Sequence, residues 1–106
     1  LPFAHTQHGV VGMMADKDMV GVLTPLIKAI TRWYLTPLDN PRAASVVQLR
    51  EILCSLGVKD SLIESHENPR SAYAAARKNA TESDRIVAFG SFLTVADVLR
   101  DLGRTA

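Results

Sequence analysis

The stretch Asp84-Arg-Ile-Val-Ala-Phe-Gly-Ser-Phe-Leu-Thr-Val-Ala-Asp-Val-Leu99 decides the fold. Its charged start and apolar run predict a buried strand over residues 84–89, and Gly90-Ser91 predicts a sharp turn. The apolar residues that follow have helical spacing and end at Gly103. Such a turn presents backbone N–H groups and a hydroxyl at the carboxyl edge of a sheet, where open α/β sheets bind ligands.

Three further strand–helix units precede this one. Continuous apolar or aromatic runs predict strands, and apolar residues three and four apart predict helices. Asp18, Ser45 and Asn68 are natural N-caps, and Pro25 must kink or shorten the first helix. The predicted strands cover residues 8–14, 32–36 and 62–65, and the predicted helices cover residues 19–30, 46–56 and 69–80. This alternation predicts one α/β domain over residues 1–106, Rossmann-like, with a mostly parallel sheet and helices on both faces.

Composition excludes several classes of protein. The chain has 106 residues, of which 47% are hydrophobic and 22% charged, as expected for one soluble domain. Its formal net charge of +1 gives no electrostatic footprint for nucleic acid or an anionic membrane, and no apolar run approaches the ~20 residues of a membrane span. Cys54 is the single cysteine, so an internal disulfide and a cysteine zinc cluster are excluded and a reducing cytoplasm is expected. Because Cys54 lies just off the apolar stripe of its helix, we expect it to be partly buried.

Polar residues follow three of the predicted strands. Asp16-Lys17-Asp18, the loop 37–42 with Arg42, and Gly90-Ser91 should converge, because parallel strands end at the same edge of a sheet. Together they are suited to a phosphate, a carboxylate or a ribose. Each also has a structural explanation: a helix cap at Asp18, a solvated Arg42 and a tight turn at Gly90.

The common nucleotide and hydrolase motifs are missing. The sequence has no Gly-x-x-x-x-Gly-Lys-Ser/Thr phosphate loop, no Gly-x-Gly-x-x-Gly fingerprint and no Gly-x-Ser-x-Gly nucleophile elbow. His5, His8 and His66 lack the spacing of metal ligands, and His66 is expected in a surface loop.

Four segments in this order resemble a known family. They are Val11-Gly-Met-Met-Ala-Asp-Lys-Asp18, Trp33-Tyr-Leu-Thr-Pro-Leu38, Pro41-Arg-Ala-Ala-Ser45 and Asp84-Arg-Ile-Val-Ala-Phe-Gly-Ser-Phe-Leu-Thr-Val-Ala96. Together they resemble the C-terminal domain of bacterial bifunctional dihydrofolate synthase/folylpolyglutamate synthase, within the wider Mur ligase superfamily.

The resemblance implies an ATP-dependent ligase that adds L-glutamate to dihydropteroate or folates through an acyl phosphate. It implies that ATP and Mg²⁺ are bound mainly by an N-terminal domain, over which this domain closes. It further implies that Ser91 and Gly90 bind the carboxylate of the incoming glutamate. By the same resemblance Asp16 and Lys17 face ATP phosphates or glutamate, and Arg42 lies on the same edge as a further candidate.

The sequence departs from the family near its start. The family's Asp-x-Ala-His-Asn-Pro motif is absent, with its first strand and helix, and the surroundings of His5 are unrelated to that motif. We therefore expect no catalytic residue and no ligase activity in this chain alone, and we expect an exposed sheet edge that pairs two copies of it. The alternatives are a non-catalytic α/β module that binds an anion or a protein, and another Mur-type amino-acid ligase.

Overall fold

The computed structural model describes residues 6–15 and 18–90. The predicted helix after Gly90-Ser91, together with Asp16, Lys17 and Ser91, lies outside these residues. The strands are β1 (Gln7–Gly12), β2 (Arg32–Leu35), β3 (Ile63–Ser65) and β4 (Arg85–Gly90). The helices are α1 (Met19–Leu23), α2 (Val46–Ser55) and α3 (Pro69–Asn79), with short 3₁₀ turns at Thr24–Leu26 and Asp60–Leu62.

The four strands form one parallel sheet in the order β3-β2-β1-β4. Helix α3 packs on one face against Val10 and Tyr34, whereas α1 and α2 pack on the other face against Val11 and Trp33. Parallel strands with helices on both faces confirm the predicted α/β fold class.

Pro25 ends the first helix early. Proline has no N–H and its ring clashes with the preceding turn, so α1 stops at Leu23 and a 3₁₀ turn carries the chain through Pro25. At the other end, Asp18 caps α1 by accepting a hydrogen bond from the N–H of Gly21 over 3.0 Å. The predicted helix 19–30 is thus shortened, and its predicted cap is confirmed.

The ends of α2 and α3 lie where the local sequence predicts them. Ser45 and Gln48 form a capping box at the start of α2, and Asn68 caps α3 by accepting from the N–H of Ser71 over 2.8 Å. Gly57 follows α2 with φ of 100°, a left-handed conformation that favours glycine.

The larger apolar cluster lies between the sheet and the pair α1 and α2. Each fully buried leucine or aromatic side chain stabilises the fold by roughly 1.5–3 kcal/mol. The cluster is formed by Val11, Met13, Leu23, Ile30, Trp33, Leu35, Ala44, Leu49, Leu53 and Ile63.

Cys54 is exposed, and the expectation that it is partly buried is wrong. Leu49 and Leu53 are the buried residues of α2. The position after Leu53 is turned by about 100° around the helix axis, which takes Cys54 away from the sheet. Among the described residues, no helix is long and apolar enough to cross a membrane.

Candidate functional site

The carboxyl ends of β1 and β4 lie side by side. In the register of these strands, Gly12 is opposite Gly90, and Val11 is opposite Phe89. The backbone that leaves β4 at Gly90 therefore starts next to the backbone that leaves β1. Gly90, a predicted site residue, therefore lies beside the end of β1. The chain continues from β1 towards Asp16 and Lys17, which are also predicted site residues.

The loops after β1 and β2 are hydrogen-bonded to each other. The N–H of Ala15 donates to the carbonyl of Arg42 over 2.7 Å, and the N–H of Ala44 donates to the carbonyl of Met13 over 2.8 Å. Met14 and Ala43 lie between these bonds in an antiparallel bridge. The structure thus brings the loop with Arg42 against the chain immediately before Asp16.

Asn40 shapes the loop that carries Arg42. Its side-chain oxygen accepts a hydrogen bond from the N–H of Arg42 over 2.8 Å, and its carbonyl accepts one from the N–H of Ala43 over 3.0 Å. Such a side-chain turn presents the next residues in a defined orientation. Arg42 itself is exposed on this edge of the sheet.

A buried threonine closes the end of β2 beneath this loop. The N–H of Thr36 donates to the carbonyl of Val11 over 2.9 Å, which extends the pairing of β1 and β2 by one residue. Its hydroxyl donates to the carbonyl of Pro37 over 2.8 Å. Burial of Thr36 is therefore compensated by hydrogen bonds at the point where the loop begins.

Asp18 is predicted either to contribute to a ligand site or to cap a helix. Its carboxylate is engaged at the N-terminus of α1, as the structural alternative predicts. Asp16, Lys17 and Ser91 lie outside the described residues, so their roles stay predictions. Within residues 6–15 and 18–90, no group of three His, Cys, Asp or Glu side chains is placed to hold a metal ion.

His66 lies in the loop that follows β3, as predicted, and it is half-buried there. Its N–H donates to the carbonyl of Leu35 over 2.8 Å, so it continues the line of β3. Its side chain therefore lies on the same face as Glu64, with Nε2 at 3.1 Å from Oε1 of that residue. The ring stacks on Tyr34, with the ring centroids 6.1 Å apart.

The sequence reasoning missed a buried hydrogen-bonded histidine at the opposite edge of the sheet. His8 is 2% exposed, with Nδ1 at 2.8 Å from the Tyr34 hydroxyl and Nε2 at 3.0 Å from Oδ2 of Asp84. The His8 hydrogen bond, with those from the N–H groups of Thr81 and Thr6, lowers the pKa of Asp84 from 3.8 to about 2. A histidine inside an apolar strand and a carboxylate just before the fourth predicted strand were the available signals.

Comparison with known proteins identifies the family of this chain. The family described as Mur ligase, glutamate ligase domain, matches residues 3–92. The chain belongs to this family. The dihydrofolate synthase/folylpolyglutamate synthase of Escherichia coli strain K12 is 38% identical over 90 residues, which are 85% of this chain and 20% of that protein.

Solved structures of related ligases share the fold. Escherichia coli FolC in complex with DHPP and ADP superposes with a TM-score of 0.85 at 34% identity, over 100% of this chain and 24% of that one. A bifunctional folylpolyglutamate synthase/dihydrofolate synthase with Mn, AMPPNP and L-glutamate bound gives a TM-score of 0.80 at 33% identity, over 93% and 23% of the two chains. The chain spans about a fifth of the length of the curated relatives that it matches.

Proposed function

We propose that this chain is the C-terminal domain of an ATP-dependent ligase that adds L-glutamate to dihydropteroate or to folates. The observation that supports it most is the superposition of the whole chain on a domain of FolC at 34% identity. That FolC structure holds DHPP and ADP, and a further related structure holds Mn, AMPPNP and L-glutamate. These names favour a folate ligase over a Mur-type ligase of another substrate class.

The proposed reaction has two steps. A carboxylate oxygen of the pterin substrate attacks the γ-phosphorus of ATP, which forms an acyl phosphate and releases ADP. The amino nitrogen of glutamate then attacks the acyl carbon, loses a proton, and expels inorganic phosphate as the amide bond forms. Hydrogen-bond donors aimed at the oxygens that gain charge lower the barrier of both steps.

The residues of this chain supply the glutamate side of the proposed site. Ser91, through its hydroxyl, and Gly90, through its backbone, bind the carboxylate of the incoming glutamate. Asp16 and Lys17 face the ATP phosphates or the glutamate. The pairing of Gly12 with Gly90 supports this proposal. The residues that follow β1, which include Asp16 and Lys17, and the residue that follows β4, Ser91, come after neighbouring strand ends. Arg42 joins them as a further candidate, supported by the hydrogen bond between its carbonyl and Ala15.

The described residues include no group of three metal-binding side chains. Proteins usually hold Mg²⁺ through one or two carboxylates together with water and substrate phosphates, so a dedicated cluster of protein ligands is not required. We propose, from the resemblance to folate ligases, that Mg²⁺ and most contacts to ATP belong to the N-terminal domain of the enzyme, which is the proposed partner of this domain.

Ser91→Ala in the full-length enzyme tests the proposal, with dihydropteroate and a reduced folate as alternative substrates. Loss of a hydrogen bond to a charged carboxylate costs roughly 1.5–3 kcal/mol, so we expect the KM for glutamate to rise about tenfold or more. Ser55→Ala is the control, because the Ser55 hydroxyl donates to the carbonyl of Ile52 at the end of α2. An unchanged KM for glutamate in Ser91→Ala contradicts the role of Ser91, and a full-length protein that forms no amide bond favours the non-catalytic module.

The isolated chain provides a second test. Because it spans about a fifth of its relatives, we expect it to form no glutamyl amide from ATP, glutamate and either pterin substrate. ATP-dependent glutamate addition by the isolated chain would refute the proposal that the site is shared between domains.

We also propose that two copies of the isolated chain pair through the outer edge of β4. Among the described strands β4 pairs with β1 alone, and Val87 on β4 is 37% exposed. An unpaired strand edge is a template for another strand. Sedimentation equilibrium should show a dimer that dissociates on dilution, and a monomer at high concentration would exclude this pairing.

A further inference from the structure

The carboxylate of Asp84 joins the starts of β1 and β4. It accepts hydrogen bonds from the N–H of Thr6 over 3.2 Å, from the N–H of Thr81 over 3.1 Å, and from Nε2 of His8 over 3.0 Å. In return the N–H of Arg85 donates to the carbonyl of Thr6 over 3.1 Å. Two segments that are 78 residues apart in sequence are therefore connected by a group that is 10% exposed.

This carboxylate begins a polar chain, formed by Asp84, His8, Tyr34, Asn79 and Glu64, on the α3 face of the sheet. Nδ2 of Asn79 lies 3.2 Å from the Tyr34 hydroxyl and 3.2 Å from Oε2 of Glu64. One hydrogen assignment satisfies every contact: His8 donates from Nε2 to Asp84 and accepts at Nδ1 from Tyr34, while Asn79 donates to Tyr34 and Glu64. A polar chain that is satisfied in one arrangement specifies that arrangement over others.

Apolar burial specifies the position of β4 less strongly than that of β1, although Ile86 and Ala88 pack against the cluster that includes Val10 and Tyr34. Every residue of β1 from His8 to Gly12 is buried, so a shifted β1 would expose apolar surface. Along β4, by contrast, Arg85 and Val87 are exposed, and Ile86 and Ala88 are half-buried. A strand whose described side chains are at most half-buried is held in register by apolar burial less strongly than a fully buried strand.

We propose that Asp84 and His8 fix the register of β4 on β1 and thereby hold Gly90 opposite Gly12. A slip of two residues keeps each side chain on its face but displaces the end of β4 by about 6.6 Å. Such a displacement separates the chain after Gly90 from the loop after β1. Asp84 and His8 are therefore positioning residues for the opposite edge of the sheet, and Tyr34 holds the His8 ring in its orientation. The functional importance of the edge at Gly12 and Gly90 rests on the proposed function. The role of Asp84 and His8 in the register of β4 does not depend on that function.

Nuclear magnetic resonance of the 106-residue chain tests the register without any ligand. In wild type we expect the His8 ring proton on Nε2 and cross-strand contacts between the backbones of Gly12 and Gly90. In Asp84→Asn and in His8→Phe we expect the β1–β4 cross-strand contacts to weaken or double. The amide protection of β4 should fall about tenfold relative to β2, while the β1–β2 contacts persist.

Ser65→Ala is the control, since Ser65 lies on β3, which pairs with β2 in the sheet, and its hydroxyl accepts a hydrogen bond from Arg50 over 3.1 Å. It should leave the β1–β4 contacts and the relative protection of β4 unchanged. A general loss of stability would lower protection in β2 and β4 together, which distinguishes it from a loss of register.

Two results would overturn the proposal. The first is an Asp84→Asn or His8→Phe chain that folds with wild-type β1–β4 contacts and β4 protection. The second applies even where both variants unfold: a His8 ring that carries its proton on Nδ1 and not on Nε2 in the wild-type chain. Neither readout involves glutamate, so a failed Ser91→Ala assay leaves this inference intact.

Discussion

Met14 and Ala43 form an antiparallel bridge between two loops that each follow a different parallel strand. The hydrogen bonds from Ala15 to Arg42 and from Ala44 to Met13 flank this bridge. The two loops thus form one hydrogen-bonded unit at the edge where the glutamate site is proposed. The order of this unit depends on side chains within the loop after β2.

Asn40→Ala should loosen this unit. The substitution removes the acceptor for the N–H of Arg42, and a lost hydrogen bond of this kind costs about 1 kcal/mol. Urea unfolding measures the loss, and amide chemical shifts of Ala15 and Ala44 report the change in the loops. Asp39→Ala, at the exposed neighbouring position, is the control. Equal unfolding free energies for the two variants would show that Asn40 does not organise the loop.

Ser45→Ala should destabilise the chain by about 1 kcal/mol, as is typical of a lost N-cap. The Ser45 hydroxyl accepts from the N–H of Gln48 over 3.0 Å, and the Gln48 side chain accepts from the N–H of Ser45 over 3.0 Å. For a domain of this size the melting temperature should fall by roughly 4–8 °C. Ser71→Ala changes an exposed serine in the first turn of α3 and should stay within about 0.5 kcal/mol of wild type. Equal melting temperatures for Ser45→Ala and Ser71→Ala would contradict this prediction.

Gly21→Ala should not stabilise α1, although alanine normally favours a helix by about 1 kcal/mol over glycine. A Cβ at Gly21 would collide with the Asp18 carboxylate that caps the helix. The loss of this cap therefore offsets the higher helix propensity of alanine. In an Asp18→Ala background the collision is absent, and Gly21→Ala should then be stabilising. Chemical unfolding of both single variants and the double variant checks this, and additive effects would contradict it.

Acidification should remove the stability contributed by Asp84 between pH 3.8 and about 2. The pKa of Asp84 is lowered from 3.8 to about 2 in the folded chain, so the unfolded chain binds the proton more readily in this range. The contribution is complete above the unfolded pKa and is lost as the pH falls through the folded pKa. Urea unfolding of wild type and Asp84→Asn from pH 6 to pH 2 should show curves that converge at low pH. Asp39→Asn, an exposed carboxylate, is the control. A constant difference between wild type and Asp84→Asn would contradict this.

Local signals predicted most of the fold. Ser45, Asn68 and Gly57 mark helix ends through interactions with residues two to four positions away, and these ends lie where expected. Pro25 predicts a kinked or a shortened helix, and the structure has the shorter one, which ends at Leu23. Parallel order followed from the alternation of strands and helices.

The polar chain could not be predicted in this way, because its contacts join residues far apart in sequence. His8 is 76 residues from Asp84 and 26 from Tyr34, and no motif relates such positions. From the sequence, His8 is noted only as lacking the spacing of a metal ligand, and nothing there relates it to Tyr34 or Asp84. At the candidate site, Gly90 and Arg42 have described positions, while the roles of Asp16, Lys17 and Ser91 stay predictions.

The order β3-β2-β1-β4 has a consequence for synthesis on the ribosome. Gln7 pairs with Arg85, so one side of β1 lacks its native neighbour until the last described strand has been translated. At bacterial or eukaryotic elongation rates this delay lasts about 4–16 s. Throughout it the nascent chain carries an open strand edge, and factors that shield emerging polypeptides should raise its yield of correctly folded product.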